Sequence, residues 1–114
     1  MSDKTHLYLL WTNADKMTAE KMVFMYTINS LAHGWWEEVT LIIWGATARL
    51  AAEDNDIRAM IREAIEKGVH VTACKACTEQ LEVTPEIEAL GVEVKYWGAP
   101  LTDILKQDEK LLTV

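Results

Sequence analysis

Gly68-Val69-His70-Val71-Thr72-Ala73-Cys74-Lys75-Ala76-Cys77-Thr78 is the stretch on which the fold turns. A short β-branched run leads into a Cys-x-x-Cys, and the residues beyond it read as a helix start, so this is a strand-to-helix junction. Cys74 then stands where the strand gives way to the helix, and Cys77 lies one helical turn further on. They are the only two cysteines in the chain.

Upstream, Asp54 or Asn55 caps a helix that runs to Lys67 and stops at Gly68, with Ile57, Met60, Ile61, Ala64 and Ile65 at core spacing. Before it, Glu37 to Trp44 reads as a strand closed by Gly45-Ala46-Thr47, and Arg49 to Ala52 as a short helical turn. At the start, Leu7-Tyr8-Leu9-Leu10-Trp11 is a continuous apolar run, the pattern of a strand covered on both faces. Thr12-Asn13-Ala14-Asp15 supplies turn and cap residues for a long helix ending near Gly34. At 100° per residue that helix shows two apolar arcs, Met17, Phe24, Met25, Ile28 and Leu31, and Ala19, Met22, Val23 and Tyr26. One arc faces a sheet; the other needs a neighbouring helix or another subunit. The adjacent Trp35-Trp36 adds weight to a subunit contact.

Downstream, Thr84-Pro85 reads as a capped helix start and Gly91 as its end. Val92 to Trp97 alternates as a fourth, more exposed strand, Gly98-Ala99-Pro100 opens a last helix through Leu101, Ile104 and Leu105, and Lys110 to Val114 is a fifth strand. Strands alternating with helices predict an α/β fold, a three-layer α/β/α, flavodoxin-like, mostly parallel sheet of about five strands. Ligands in such sheets bind beyond the carboxyl ends of the strands, which places Asn13, Gly45, Cys74 and Gly98 along one edge. Trp11, Trp44 and Trp97 end strands at the same rim, either lining a pocket or closing the core there.

At 114 residues the chain reads as a single domain, half hydrophobic and a quarter charged. A net charge of −7 without a basic cluster argues against nucleic acid. Met1-Ser2-Asp3-Lys4-Thr5-His6 carries no signal-peptide pattern, and no apolar run approaches the roughly 18 residues of a membrane span, so a cytoplasmic location is expected. In a reducing compartment a cysteine pair is more often catalytic or metal-binding than structural.

The helix dipole and Lys75 favour a thiolate at Cys74. Such a thiolate attacking a sulfur donor carries a persulfide, and Cys77 releases the sulfur by forming a disulfide. The pair serves equally well as a redox couple. Cys-x-x-Cys also occurs in thioredoxin-like proteins, where it follows the first strand or two rather than the third, and in zinc sites, which want four ligands. His6, His33 and His70 lie at no ligand spacing. No cofactor and no single-chain metal site is expected, and the acids Glu37, Glu38, Glu53, Asp54 and Asp56 read as surface and caps.

The order of Trp44-Gly45, Gly68, Val69 to Cys77, Leu90-Gly91-Val92-Glu93-Val94-Lys95-Tyr96, Gly98, Pro100-Leu101-Thr102 and Leu111-Leu112-Thr113 resembles the DsrE/DsrF-like proteins of sulfur relay, across nearly the whole chain. The resemblance implies a flavodoxin-like subunit assembling into trimers or hexamers. In the relay members a cysteine after the third strand accepts sulfur as a persulfide and passes it on; Cys74 matches that position. Cys77 places the chain with a Cys-x-x-Cys subgroup. The implied function is a sulfurtransferase-type sulfur carrier, with donor and acceptor proteins as partners and both Cys74 and Cys77 in the catalytic site. The alternative is a non-enzymatic oligomeric binding module whose cysteine pair senses redox state or binds metal.

Overall fold

Five parallel strands lie in the order β4-β3-β2-β1-β5. The structure, a computed structural model, describes residues 4–114; Met1-Ser2-Asp3, read above as part of a stretch without a signal-peptide pattern, lie outside the described residues. The strands are β1 (His6–Trp11), β2 (Glu38–Ile43), β3 (His70–Cys74), β4 (Glu93–Lys95) and β5 (Lys110–Thr113). The helices are α1 (Lys16–Thr18), continued by a π-helical segment (Ala19–Phe24) into α2 (Met25–Ala32), then α3 (Ala46–Glu53), α4 (Asn55–Glu66), α5 (Lys75–Gln80), α6 (Thr84–Glu88) and α7 (Gly98–Lys106). The α/β/α, flavodoxin-like expectation is met, and the sheet is parallel throughout.

Strand order dictates which helix covers which face. From β1 to β4 the chain steps across the sheet in one direction, and right-handed crossovers therefore put α1 to α6 on one side. The step from β4 to β5 runs back past β1, so its crossover helix, α7, lands on the opposite side. Leu7, Leu9, Trp11, Val39, Leu41, Ile43, Val71 and Ala73 pack under the first group, with Ala19, Val23, Ile57 and Ile61. Ile42, Cys74, Trp97 and Ile104 form a smaller core under α7, flanked by half-buried Tyr8, Leu10 and Trp44.

This asymmetry corrects the expectation of a first strand covered on both faces. Leu7, Leu9 and Trp11 are buried, while His6, Tyr8 and Leu10 are only half-buried because one helix does not span that face. The remainder of the face is polar and internally bonded. Thr40 Oγ1 lies 2.7 Å from His6 Nε2 and 3.4 Å from His70 Nδ1. His6 Nδ1 faces Glu38 at 3.2 Å and His70 Nε2 faces Glu93 at 3.3 Å.

Asp54 caps α4, accepting from the N–H groups of Asp56 and Ile57, and Lys16 ties α1 to it across 3.1 Å. Thr84 is not the expected cap: Val83 holds the cap position, and the Thr84 hydroxyl donates instead to Thr78 Oγ1 at 2.8 Å. The two-arc reading of the first helix also fails. Met17 and Met25 are 68% and 50% exposed, and the buried residues are Ala19, Val23, Phe24, Thr27 and Ser30. The π segment shifts the angular phase along the helix, and the Thr27 and Ser30 hydroxyls donate to the carbonyls of Val23 and Tyr26, which lets them be buried.

Candidate functional site

Cys74 is the last residue of β3 and the residue from which α5 begins, with φ −68° and ψ 115°. Extended β-branched Val71 and Thr72 lead up to it, and helix-compatible Lys75-Ala76-Cys77 follows. By the alternation of β3 its side chain turns to the α7 face, where Ile42, Trp97 and Ile104 belong to the same buried cluster. Only 4% of Cys74 is exposed. Trp97 is fixed by an indole N–H that donates to Thr72 Oγ1 at 2.8 Å.

Cys77, one turn into α5, is half-buried at the seam between the two cores and packs against both. Because β2 lies beside β3, the loop after β2 reaches it: the Gly45 N–H donates to Cys77 Sγ at 3.2 Å. Gly45 has φ +71°, a left-handed conformation that favours glycine. The loop is held from below by Thr47, whose hydroxyl donates to the Trp11 carbonyl at 2.9 Å and also accepts from Trp44 N–H at 3.1 Å.

Burial pushes the Cys77 thiol above its ordinary value of 9.0, a hydrogen bond to Cys74 and the neighbouring Cys74 charge push it further, and the Gly45 N–H offsets part of the rise. Lys75 does not serve the cysteines as expected. Its Nζ lies 4.0 Å from Glu79 Oε1 and 5.3 Å from the centre of the Tyr96 ring, while Tyr96 donates its hydroxyl to Glu79 at 2.8 Å. The lysine is thus committed to a surface cluster on the outer side of α5.

Of the four residues placed along the strand edge, Gly45 and Cys74 share a site with Cys77. Asn13 instead joins the ends of β1 and β5, its N–H donating to the Val114 carbonyl at 3.2 Å, and Gly98 opens α7. Trp11 and Trp97 are buried, closing the core, and Trp44 is half-buried beside it. Ile104 and the amide of Gly45 are the site groups that chain order alone does not single out, because their roles depend on strand order. Among the described residues no three His, Cys, Asp or Glu side chains gather as a metal ligand set, and no helix is long and apolar enough to cross a membrane. Open grooves of about 300 Å³ lie elsewhere, one lined by Met22, Met25, Tyr26 and Trp35 and one by His6, Thr40 and His70; neither is lined by a cysteine.

No family model and no curated protein matches the chain. Among solved structures, it is similar to the ychN protein from E.coli at 17% identity, over 96% of this chain and 99% of that one, with a TM-score of 0.64, a likeness of fold. It is much more similar to BT1422 from Bacteroides thetaiotaomicron, a conserved protein of unknown function, with 39% identity, coverage of 96% of this chain and 95% of that one, and a TM-score of 0.95. The chain belongs to the family of that conserved Bacteroides protein.

Proposed function

We propose that this is a cytoplasmic, homo-oligomeric DsrE-like sulfur carrier that holds sulfur as a persulfide in the Cys74–Cys77 pair and exchanges it with donor and acceptor proteins. The observation that carries the reading is the pairing itself: two thiols one helical turn apart at a strand–helix junction, with a backbone N–H aimed at the sulfur of one of them. A persulfide needs a nucleophilic sulfur to form and a second thiol to discharge it, and both lie within one turn of helix. The resemblance to sulfur-relay proteins led to the expectation of Cys74 as carrier and Cys77 as assistant. Assembly into a trimer or hexamer is supported by Trp35, 59% exposed beside Met25 and His33.

Intact mass spectrometry of the reduced protein after incubation with inorganic polysulfide tests the reading. One added sulfur, removed by a dithiol reductant and absent from the Cys74→Ser/Cys77→Ser double variant, is the expected result; no gain in the wild-type protein sinks it. The burial of Cys74 favours a second reading, a non-enzymatic module with a redox-sensing pair, since a thiol 4% exposed is shielded from a sulfur donor. That reading predicts ready disulfide formation without sulfur uptake, and ligand or partner binding that survives loss of both thiols.

A further inference from the structure

The two thiols are unequal, and the inequality runs against chain order. Cys74, first in the motif, is 4% exposed in the cluster with Ile42, Trp97 and Ile104. A donor sulfur approaching it would have to displace part of the α7 layer. Cys77 is half-buried, lies at the seam where the two cores meet, and its Sγ already accepts a backbone N–H at 3.2 Å. Next to it, the position where a Cβ on Gly45 would stand has no atom within 4 Å, so the loop borders open space.

We infer that Cys77, rather than Cys74, takes sulfur from a small persulfide or polysulfide donor, with Cys74 later resolving the product and the Gly45 N–H holding the charge that develops on Cys77. The inference rests on the sulfur-carrier reading and assigns the labour within it. The Cys77 thiol gives its proton to solvent, and the Sγ anion faces the Gly45 N–H. That sulfur attacks the outer sulfur of R–S–SH: a new Sγ–S bond forms, the donor S–S bond breaks, and the electron pair leaves on RS⁻, which takes a proton from solvent. The sum, Cys77–SH plus R–S–SH giving Cys77–S–SH plus RSH, involves no net oxidation. In release, the Cys74 thiolate attacks Cys77 Sγ and expels HS⁻. The two cysteines are then oxidised to a disulfide, the outer sulfur is reduced to sulfide, and a dithiol reductant reopens the pair.

Lys75 separates the two cysteines, so trypsin delivers them on different peptides. The full chain, reduced, exposed to inorganic polysulfide and trapped by rapid alkylation, is expected to carry the added sulfur on the Cys77 peptide. Cys77→Ser should take up none. Cys74→Ser should still load at Cys77 but lose the disulfide-forming release of sulfide. A measurement needing no variant supports these: iodoacetamide should label the wild-type Cys77 peptide before the Cys74 peptide. Added sulfur on the Cys74 peptide, full loading of Cys77→Ser, or faster alkylation of Cys74 each overturns the assignment. A wild-type protein that takes up no sulfur while Cys77 is still alkylated first overturns the carrier reading, and this inference with it.

Discussion

The two faces of one sheet are built from the same strands by different rules. Under α1 to α6, Leu9, Leu41, Ile43 and Val71 meet Val23, Ile57 and Ile61 in a buried apolar layer. Under α7, every strand that contributes an apolar residue also contributes a polar one: Thr40 beside Ile42, Thr72 beside Cys74, His6 beside Tyr8. Thr40 bonds His6, Thr72 bonds Glu93 and Trp97, and among the described residues no buried side-chain nitrogen or oxygen lacks a partner. Stability is concentrated on the first face, where packing is uniform. The cysteine pair lies toward the second, where a single helix covers the sheet and Cys77 at its margin is half-buried.

The sharpest way to break this contrast is to truncate equivalent residues on the two sides. Leu41→Ala on the dry face should cost about 3 kcal/mol by urea unfolding. Leu10→Ala, half-buried on the other, should cost about 1 kcal/mol; equal losses would end the distinction. On the polar side, Thr72→Val keeps the shape but strands the buried Trp97 indole N–H, at a cost of about 2 kcal/mol. If that variant is as stable as wild type, the polar bonds are not what holds the α7 face. Gly45→Ala meets no clash but forces a side chain into φ +71°. A loss of about 1 kcal/mol is expected, with slower sulfur uptake as the loop N–H swings off Cys77; unchanged uptake would remove Gly45 from the site.

The smallest effect is at the caps. The Asp54 carboxylate is held below its ordinary 3.8 chiefly by the Ile57 N–H, with Lys16 helping. A depressed folded value means that its contribution is present above pH 3.8 and is lost as pH falls through the lower folded value. Asp54→Asn, which retains the capping oxygen, should flatten the acid limb of the stability curve; an unchanged limb would show that the charge is idle.

Much of the fold was legible because local chemistry and topology agree. The five strands, the Asp54 cap and the strand–helix junction at Cys74 follow from periodicity and end signals. Where reading failed, the cause was not local. Chain order cannot reveal that β2 lies beside β3, so Gly45 emerged as one of four edge residues rather than as the neighbour of Cys77. The apolar run in β1 suggested two covered faces, but coverage depends on how many crossovers fall on each side. In the first helix the π segment rotated the stripe, and Thr27 and Ser30 looked polar although their hydroxyls are spent on the backbone. Lys75 sat next to Cys74 in sequence, yet Glu79 and Tyr96 claim it.

The position of β5 has a bearing on biosynthesis. It pairs with β1, and the Thr12 hydroxyl donates to the Val114 carbonyl 102 positions away. As the chain is made from its N-terminus, β1 to β4 with α1 to α6 can assemble while Tyr8, Leu10 and Ile42 still face solvent or a chaperone. The thiols therefore exist on the ribosome before their roof does. Cys74 is most open to oxidants and alkylating agents in that interval, and the docking of α7 and β5 shields it.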